Sequence, residues 1–503
     1  MKHESPESYD LSSEEFRKLG YRVVDMMAEY YDTIGDRPVF PTVTSPELEE
    51  VFREDLPSRG QDADQILDEW RDKVLEYAAI QGSPRYFGFV NGSGVMIGAL
   101  ADALASAVNM NSGGWKGGPS ATMVESRTIA WIAEMIGYPE NCGGLFTSGG
   151  TMANFTALET ALRNQAPYDT TTSGLQNRDF SGKFKVYMSD HEGHVSIVRV
   201  VDLLNLGRDC IRLVQSRGDY SMDPASLEAA IMEDMEKGDF PLCVVAQVGS
   251  INVGVIDPLE DIAGICRKYN LWFHADGACG AVGRILPEKA DQYEGLELAD
   301  SVSLDPHKWL FIPYDCGCVL VRDAEKMRRT FSLQAPYLHG ILPSKHTGMY
   351  HLDYGPEMSR RFRALKVWMA LKFYGVEGYQ KLLRKSVRCV EHLDKLVRED
   401  PDFEALHQPN LLMYCFRYNP ASRKENEGSA PDGQSPYLDI LNQSICDEIQ
   451  ASGKAFIMTS KLKGDVVIRL SVCSHRTTTS DIDEVFGALK AIGQSVASRL
   501  QEG

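Results

Sequence analysis

From about Asn141 onward, short apolar runs alternate with longer amphipathic segments, and this alternation constrains the fold more than any other feature of the chain. An apolar run of about four to eight residues suits a strand buried on both faces. Successive strands of that kind must be returned to the same end of a sheet by helices, which predicts βα units around a mostly parallel sheet. One unit reads closely. Asp257-Pro258-Leu259-Glu260 offers an N-cap, a proline at the first helical position and a capping-box glutamate, with the helix running through Ile262, Ile265 and Cys266. Leu271-Trp272-Phe273-His274-Ala275 then reads as a buried strand delivering Asp276 at its C-terminal end, where open α/β sheets hold ligands. A second strand at residues 301–304 delivers Asp305, His307 and Lys308.

At 503 residues the chain is long enough for two or three lobes. Phe16, Leu19, Val23, Met26, Met27 and Tyr30 recur at helical spacing, and the prolines at 38 and 41 end that pattern. Such a helix reaches away from the main body, and a partner subunit is one candidate surface for its stripe. Beyond about Gly375 comes a mixed segment, helical near residues 382–396 and strand-like at 411–418 and 466–472, with a polar insert at 419–436 that reads as an exposed loop. The expected organisation is an N-terminal helical segment at 1–90, a large α/β domain at 91–375 and a small α+β domain at 376–503.

No apolar stretch is long enough to span a membrane, since residues 95–110 are interrupted by Asp102. A net charge of −19, without a long basic run, opposes nucleic acid and anionic lipid as partners. Neither a signal peptide nor an import sequence is visible, so a cytoplasmic location is expected. The eleven cysteines lack zinc-ligand or redox spacing and read as reduced, packed thiols.

Three motifs carry chemistry. Thr147-Ser148-Gly149-Gly150-Thr151 precedes a helical stretch; its glycines admit an anion close to a helix N-terminus, although Ser-Gly-Gly-Thr is also an ordinary turn. Asp276 at a strand end reads either as a buried carboxylate that keeps a pyridine nitrogen protonated or as a capping residue. Ser303-Leu304-Asp305-Pro306-His307-Lys308-Trp309 places a lysine among apolar neighbours, where desolvation is expected to lower its pKa and free the amine for a Schiff base.

Together these residues resemble the group II pyridoxal 5′-phosphate (PLP) decarboxylases, the aromatic-L-amino-acid decarboxylase family, in its bacterial form. The most specific elements are Asp305-Pro306-His307-Lys308-Trp309 and Ser148-Gly149-Gly150-Thr151-Met152-Ala153-Asn154; the likeness runs from the N-terminal helix through Pro84-Arg85-Tyr86-Phe87 to Arg469-Leu470-Ser471. The resemblance implies an aminotransferase-like, fold type I α/β architecture and a homodimer whose active sites are completed across the interface. It implies PLP as cofactor, an amino acid as substrate, and decarboxylation to the amine and CO₂. Lys308 becomes the Schiff-base lysine and Asp276 the pyridinium partner. Gly149, Gly150 and Thr151 become phosphate binders, with Ser301 adding a phosphate contact and Asp305 and His307 further cofactor contacts. His194, with His191 as a nearby competitor, stacks on the ring, and Ala278 packs on the opposite face. Tyr337 belongs to a mobile catalytic loop, the lid expected at residues 338–355.

The same resemblance assigns Phe87, Phe89, Asn111, Gly113, Trp115 and Ser359 to the substrate pocket. Asn111 and Gly113 stand where animal members place apolar and aromatic pocket walls contributed across the dimer, which suggests a wider pocket and an indole substrate; Ser359 points instead to a phenolic ring. Tryptophan, tyrosine, phenylalanine and DOPA all stay open. Asp305 stands where animal enzymes have Asn, and Ile251 replaces a cofactor-side threonine. The alternatives are an aldehyde-forming relative, which typically carries Phe at the Tyr337 position or lacks the histidine at the His194 position, a decarboxylase of a non-aromatic amino acid, a transaminase with a substrate-binding arginine, and a PLP-free scaffold.

Overall fold

The computed structural model describes residues 10–176, 179–333, 349–420 and 435–502. Tyr337, most of the expected lid, and residues 421–434 of the polar insert lie outside them.

The large domain is built on a sheet of β1 (Gly143–Thr147), β2 (Phe184–Ser189), β3 (Ile211–Val214), β4 (Phe240–Gln247), β5 (Trp272–Asp276), β6 (Ser301–Leu304) and β7 (Gly317–Val321), in the order β1-β7-β6-β5-β4-β2-β3. Pairing is parallel from β6 to β3 and antiparallel on both sides of β7. All strands but β7 therefore end at one rim. Nearly every residue of β4 and β5 is buried, as a sheet covered on both faces requires. Each fully buried Val, Leu or Phe contributes about 1.5–3 kcal/mol.

The helix expected after Asp257 exists, but it runs Leu259–Tyr269 with Pro258 at its N-cap and no side-chain capping bond. Asp257 has another task. Its buried carboxylate accepts hydrogen bonds from the Met222 N–H and the Gln247 N–H, both at 2.7 Å, and burial pushes its pKa up to about 6. Two backbone donors held this tightly outcompete a cap exposed to water.

The second sheet comprises β8 (Phe403–Ala405), β9 (Met413–Tyr418), β10 (Met458–Leu462) and β11 (Asp465–Ser471), in the antiparallel order β10-β11-β9-β8. The helices Pro436–Ala451 and Thr479–Glu502 share its apolar core. A long helix, Ala364–Glu399, links the two lobes and breaks at Gly375, whose φ of +61° is a left-handed conformation open to glycine without cost. Residues near 86–87 belong to the C-terminal lobe: Tyr86 bridges Phe456, and Phe87 lies inside that lobe's core.

The N-terminal helix Ser13–Thr33 opens with a capping box between Ser12 and Glu15. None of its residues is fully buried: Leu19, Met26, Met27 and Tyr30 of the apolar stripe are half-buried, while Phe16, at 65% exposure, and Val23 stay uncovered within one chain.

Candidate active site

The C-terminal rim of the parallel strands encloses a cavity of about 380 Å³, lined by residues from five segments far apart in sequence, among them Gly149, Gly150, Thr151, His194, Asp276, Ala278, Asp305, His307 and Lys308. The turn after β1 delivers the glycines, and the helix Gly150–Gln165 begins inside the wall. Backbone N–H groups of a first helical turn have no partner within their helix, so this wall suits an anion. Gly150 leaves room for Asp305: a Cβ there would sit 2.8 Å from Asp305 Oδ2 and displace that carboxylate from its pairing with Lys308.

Asp276 ends β5 at 4% exposure. Its Oδ2 accepts from Asn154 Nδ2 at 3.0 Å, and its Oδ1 accepts from Ser303 Oγ and the Ala278 N–H, both at 3.2 Å. Burial works against the charged form, but the Lys308 charge and the Ala278 N–H favour it, and the carboxyl lies below its ordinary pKa.

Behind Asp276 runs a directed relay. Trp272 Nε1 donates to Ser301 Oγ at 2.8 Å, and Ser301 is also 2.8 Å from His274 Nδ1. His274 Nε2 lies 3.0 Å from Asn154 Oδ1, an acceptor, so the His274 proton sits on Nε2 and Ser301 donates to Nδ1. Asn154 passes the polarity on, donating to Asp276 and, at 3.0 Å, to Ser196 Oγ. Ser196 in turn caps His194 Nδ1 with its N–H at 3.2 Å and its hydroxyl at 2.8 Å, which leaves the His194 proton on Nε2. Burial lowers the His194 pKa, keeping the ring neutral.

Lys308 follows β6 on a turn closed by its own N–H to the Asp305 carbonyl. Its Nζ is 3.2 Å from Asp305 Oδ2 and 3.6 Å from Cys279 Sγ. The desolvation expected from the sequence is present, but it does not decide the outcome. Burial presses the ammonium down; Cys279, Asp305 and Asp276 overcome it and hold the pKa above the ordinary lysine value. His307, buried beside Lys308, accepts the Cys316 N–H on Nδ1 at 3.0 Å, and burial lowers its pKa.

One expectation fails here. Ser301 starts β6, whereas the cavity lies past the strand ends, and its hydroxyl is committed to Trp272 and His274. It is no phosphate contact of this cavity; Ser303, two residues on, is the serine that reaches Asp276. Phe87, Phe89, Asn111, Gly113, Trp115 and Ser359 do not line the chain's own cavity, and a wall contributed across a dimer, the place the resemblance gives Asn111 and Gly113, is not part of one chain. Phe87 is fully buried in the C-terminal core, and Phe89 is 45% exposed beside Phe456. Asn111 Oδ1 pins a turn by accepting the N–H groups of Gly113 and Arg360 at 2.9 and 3.0 Å, and with Ser359 it lines a separate surface cavity. Gly113 packs on the Met358 carbonyl, which leaves no room for a side chain. Trp115 is half-buried.

The pyridoxal-dependent decarboxylase conserved domain matches residues 46–419. The chain belongs to the pyridoxal-dependent decarboxylase family. It is 32% identical to an aromatic-L-amino-acid decarboxylase of Bacillus atrophaeus over 98% of both chains, and 27% identical to a phenylacetaldehyde synthase of Arabidopsis thaliana over 95% of both. The crystal structure of Oryza sativa TDC with PLP and tryptamine superposes with a TM-score of 0.89 at 26% identity, covering 97% of this chain and 99% of that one. As a pyridoxal-dependent decarboxylase, the chain is a fold type I carboxy-lyase that uses PLP.

The cavity fits that cofactor on its own terms. Two buried polar atoms of its wall, Gln247 Nε2 and Asp305 Oδ1, have no hydrogen-bond partner among the described residues. An unmet buried donor or acceptor costs about 1–3 kcal/mol, so this wall offers a polar ligand one donor and one acceptor. Asn154, Ser196, His274, Cys279 and Gln247 carry no role in the sequence reading. Asn154 and His274 sit inside the two motifs that the sequence singles out, and their relay positions them there.

Proposed function

We propose that this decarboxylase removes the α-carboxylate of an aromatic L-amino acid, with tryptophan, tyrosine, phenylalanine and DOPA as candidates, and releases the amine and CO₂. The observation that carries this reading is the convergence on one cavity of a lysine amine, a carboxylate held ionised and a neutral histidine. PLP, when bound, supplies the electron sink that takes up the pair left by the departing carboxylate.

The chain's own residues do the rest. Lys308 holds the cofactor through its amine and gives it up to the substrate amine. Asp276, kept anionic by the Lys308 charge and the Ala278 N–H, holds a proton on the ring nitrogen. His194, neutral and with its proton on Nε2, supports one ring face, Ala278 the other, and Gly149, Gly150 and Thr151 the phosphate. Asp305 and His307 complete the contacts around Lys308. Tyr337, with His194, directs a proton onto Cα. No arginine lines the cavity among the described residues, which favours loss of the substrate carboxylate over the salt bridge a transaminase makes to it.

A cytoplasmic homodimer belongs to the same reading. Met96, Leu100, Leu104 and Val108 recur every four residues on the helix Met96–Val108, each 45–56% exposed, and so form one apolar stripe that a second copy can cover. The nearby turn at residues 111–115 would then wall the second copy's cavity. Eleven free cysteines suit a reducing compartment. Aldehyde formation is the second reading, favoured by the likeness to a phenylacetaldehyde synthase.

One assay separates them. The PLP-loaded chain is given tryptophan, tyrosine, phenylalanine, DOPA and glutamate, and CO₂, amine, aldehyde and hydrogen peroxide are measured. Equal CO₂ and amine, with the highest kcat/KM for an aromatic substrate, is expected. Aldehyde with peroxide would establish the second reading, and a preference for glutamate would overturn the aromatic one.

A further inference from the structure

We infer that Gln247 binds the 3-hydroxyl oxygen of the cofactor ring, a contact that rests on the PLP reading above and that the sequence motifs do not assign. Three observations carry it. Gln247 is the last residue of β4, pairs in register with Asp276 on β5, and lines the cavity. Its Nε2 is buried there without a partner among the described residues. Its backbone is clamped, with the N–H donating to Asp257 Oδ2 at 2.7 Å and the carbonyl accepting the Asp257 N–H at 2.9 Å, so the point from which the side chain reaches the cavity is fixed beside Asp276.

Sheet order supplies the direction. In PLP the hydroxyl and the phosphate arm flank the aldehyde carbon on opposite sides, and the ring nitrogen lies across from it. With the nitrogen at Asp276 on β5 and the phosphate at the Gly149–Thr151 turn after β1, the hydroxyl faces the other neighbour of β5, which is β4. Of the lining residues in and just after β4, Gly249 and Ile251 bring no side-chain donor; Gln247 does. Asn154 is no substitute, because its Nδ2 is spent on Asp276 and Ser196. A neutral amide donor stabilises the oxygen as its anion and thereby sets where the Lys308-bound cofactor loses its proton.

The test uses the full chain, PLP and 3-deoxypyridoxal phosphate, which lacks that oxygen. Gln247→Met keeps the length and removes the donor; Gln247→Glu is isosteric and places a carboxylate against the oxygen. Folding of each is checked by circular dichroism. Gln247→Met is expected to weaken PLP binding about tenfold and to move the pH midpoint of the visible band upward, with Gln247→Glu weaker still. With 3-deoxypyridoxal phosphate, Gln247→Met and wild type should bind alike. Equal losses with both cofactors, or unchanged affinity and midpoint with PLP, would overturn the assignment alone. A wild-type chain that takes up no PLP would overturn it together with the reading on which it rests.

Discussion

Asp276 shows how much of one residue's role is written in its neighbours. At the end of an apolar run the sequence leaves it as either a cap or a ring partner; it caps the Ala278 N–H, and the relay from Trp272 through Ser301, His274 and Asn154 supports the ring-partner role proposed for it. Asp276→Asn preserves shape and removes the charge that keeps the ring nitrogen protonated. PLP should still bind, while kcat falls about 100-fold, the loss of one strong charge-assisted contact in the transition state. Stopped-flow absorbance with the preferred substrate measures both, and an unchanged kcat would remove Asp276 from the mechanism. Lys308 teaches the complementary lesson. Its burial is legible from Trp309 and the apolar run beyond it, but the direction of its pKa is not: Asp305 is near in sequence, while Cys279 and Asp276 reach it only through the fold.

At the scale of elements, local signals located strands well and caps less well. The apolar runs at β5 and β6 mark themselves because both faces are buried, whereas Asp257 abandons its expected cap for two buried backbone donors. The cofactor turn depends on a contact no motif announces. Arg360, itself 3% exposed, donates to both Glu125 oxygens at 2.6 and 3.1 Å and to the Phe146 carbonyl at 2.6 Å, while the Phe146 N–H donates to Glu125 Oε1 at 3.0 Å. Helix Pro119–Met135, β1 and the segment ahead of helix Ala364–Glu399 are thereby locked just before Gly149. Arg360→Met leaves the Glu125 charge buried and unpaired, and about 3–5 kcal/mol of stability should be lost. Urea unfolding reads that loss, and a change under 1 kcal/mol would show the pair to be dispensable.

Over the whole molecule, the fold class was readable because a covered parallel sheet leaves a strong pattern. The pocket walls are not, because Asn111, Trp115 and Ser359 lie outside the chain's own cavity and would wall a pocket only in the homodimer proposed above. Everything catalytic in the account requires one lysine to be joined to the cofactor beside Asp276. Borohydride reduction of the PLP-loaded chain, followed by proteolysis and mass spectrometry, tests this directly. The account predicts a single phosphopyridoxyl group on Lys308; a label on another lysine, or none, would contradict it.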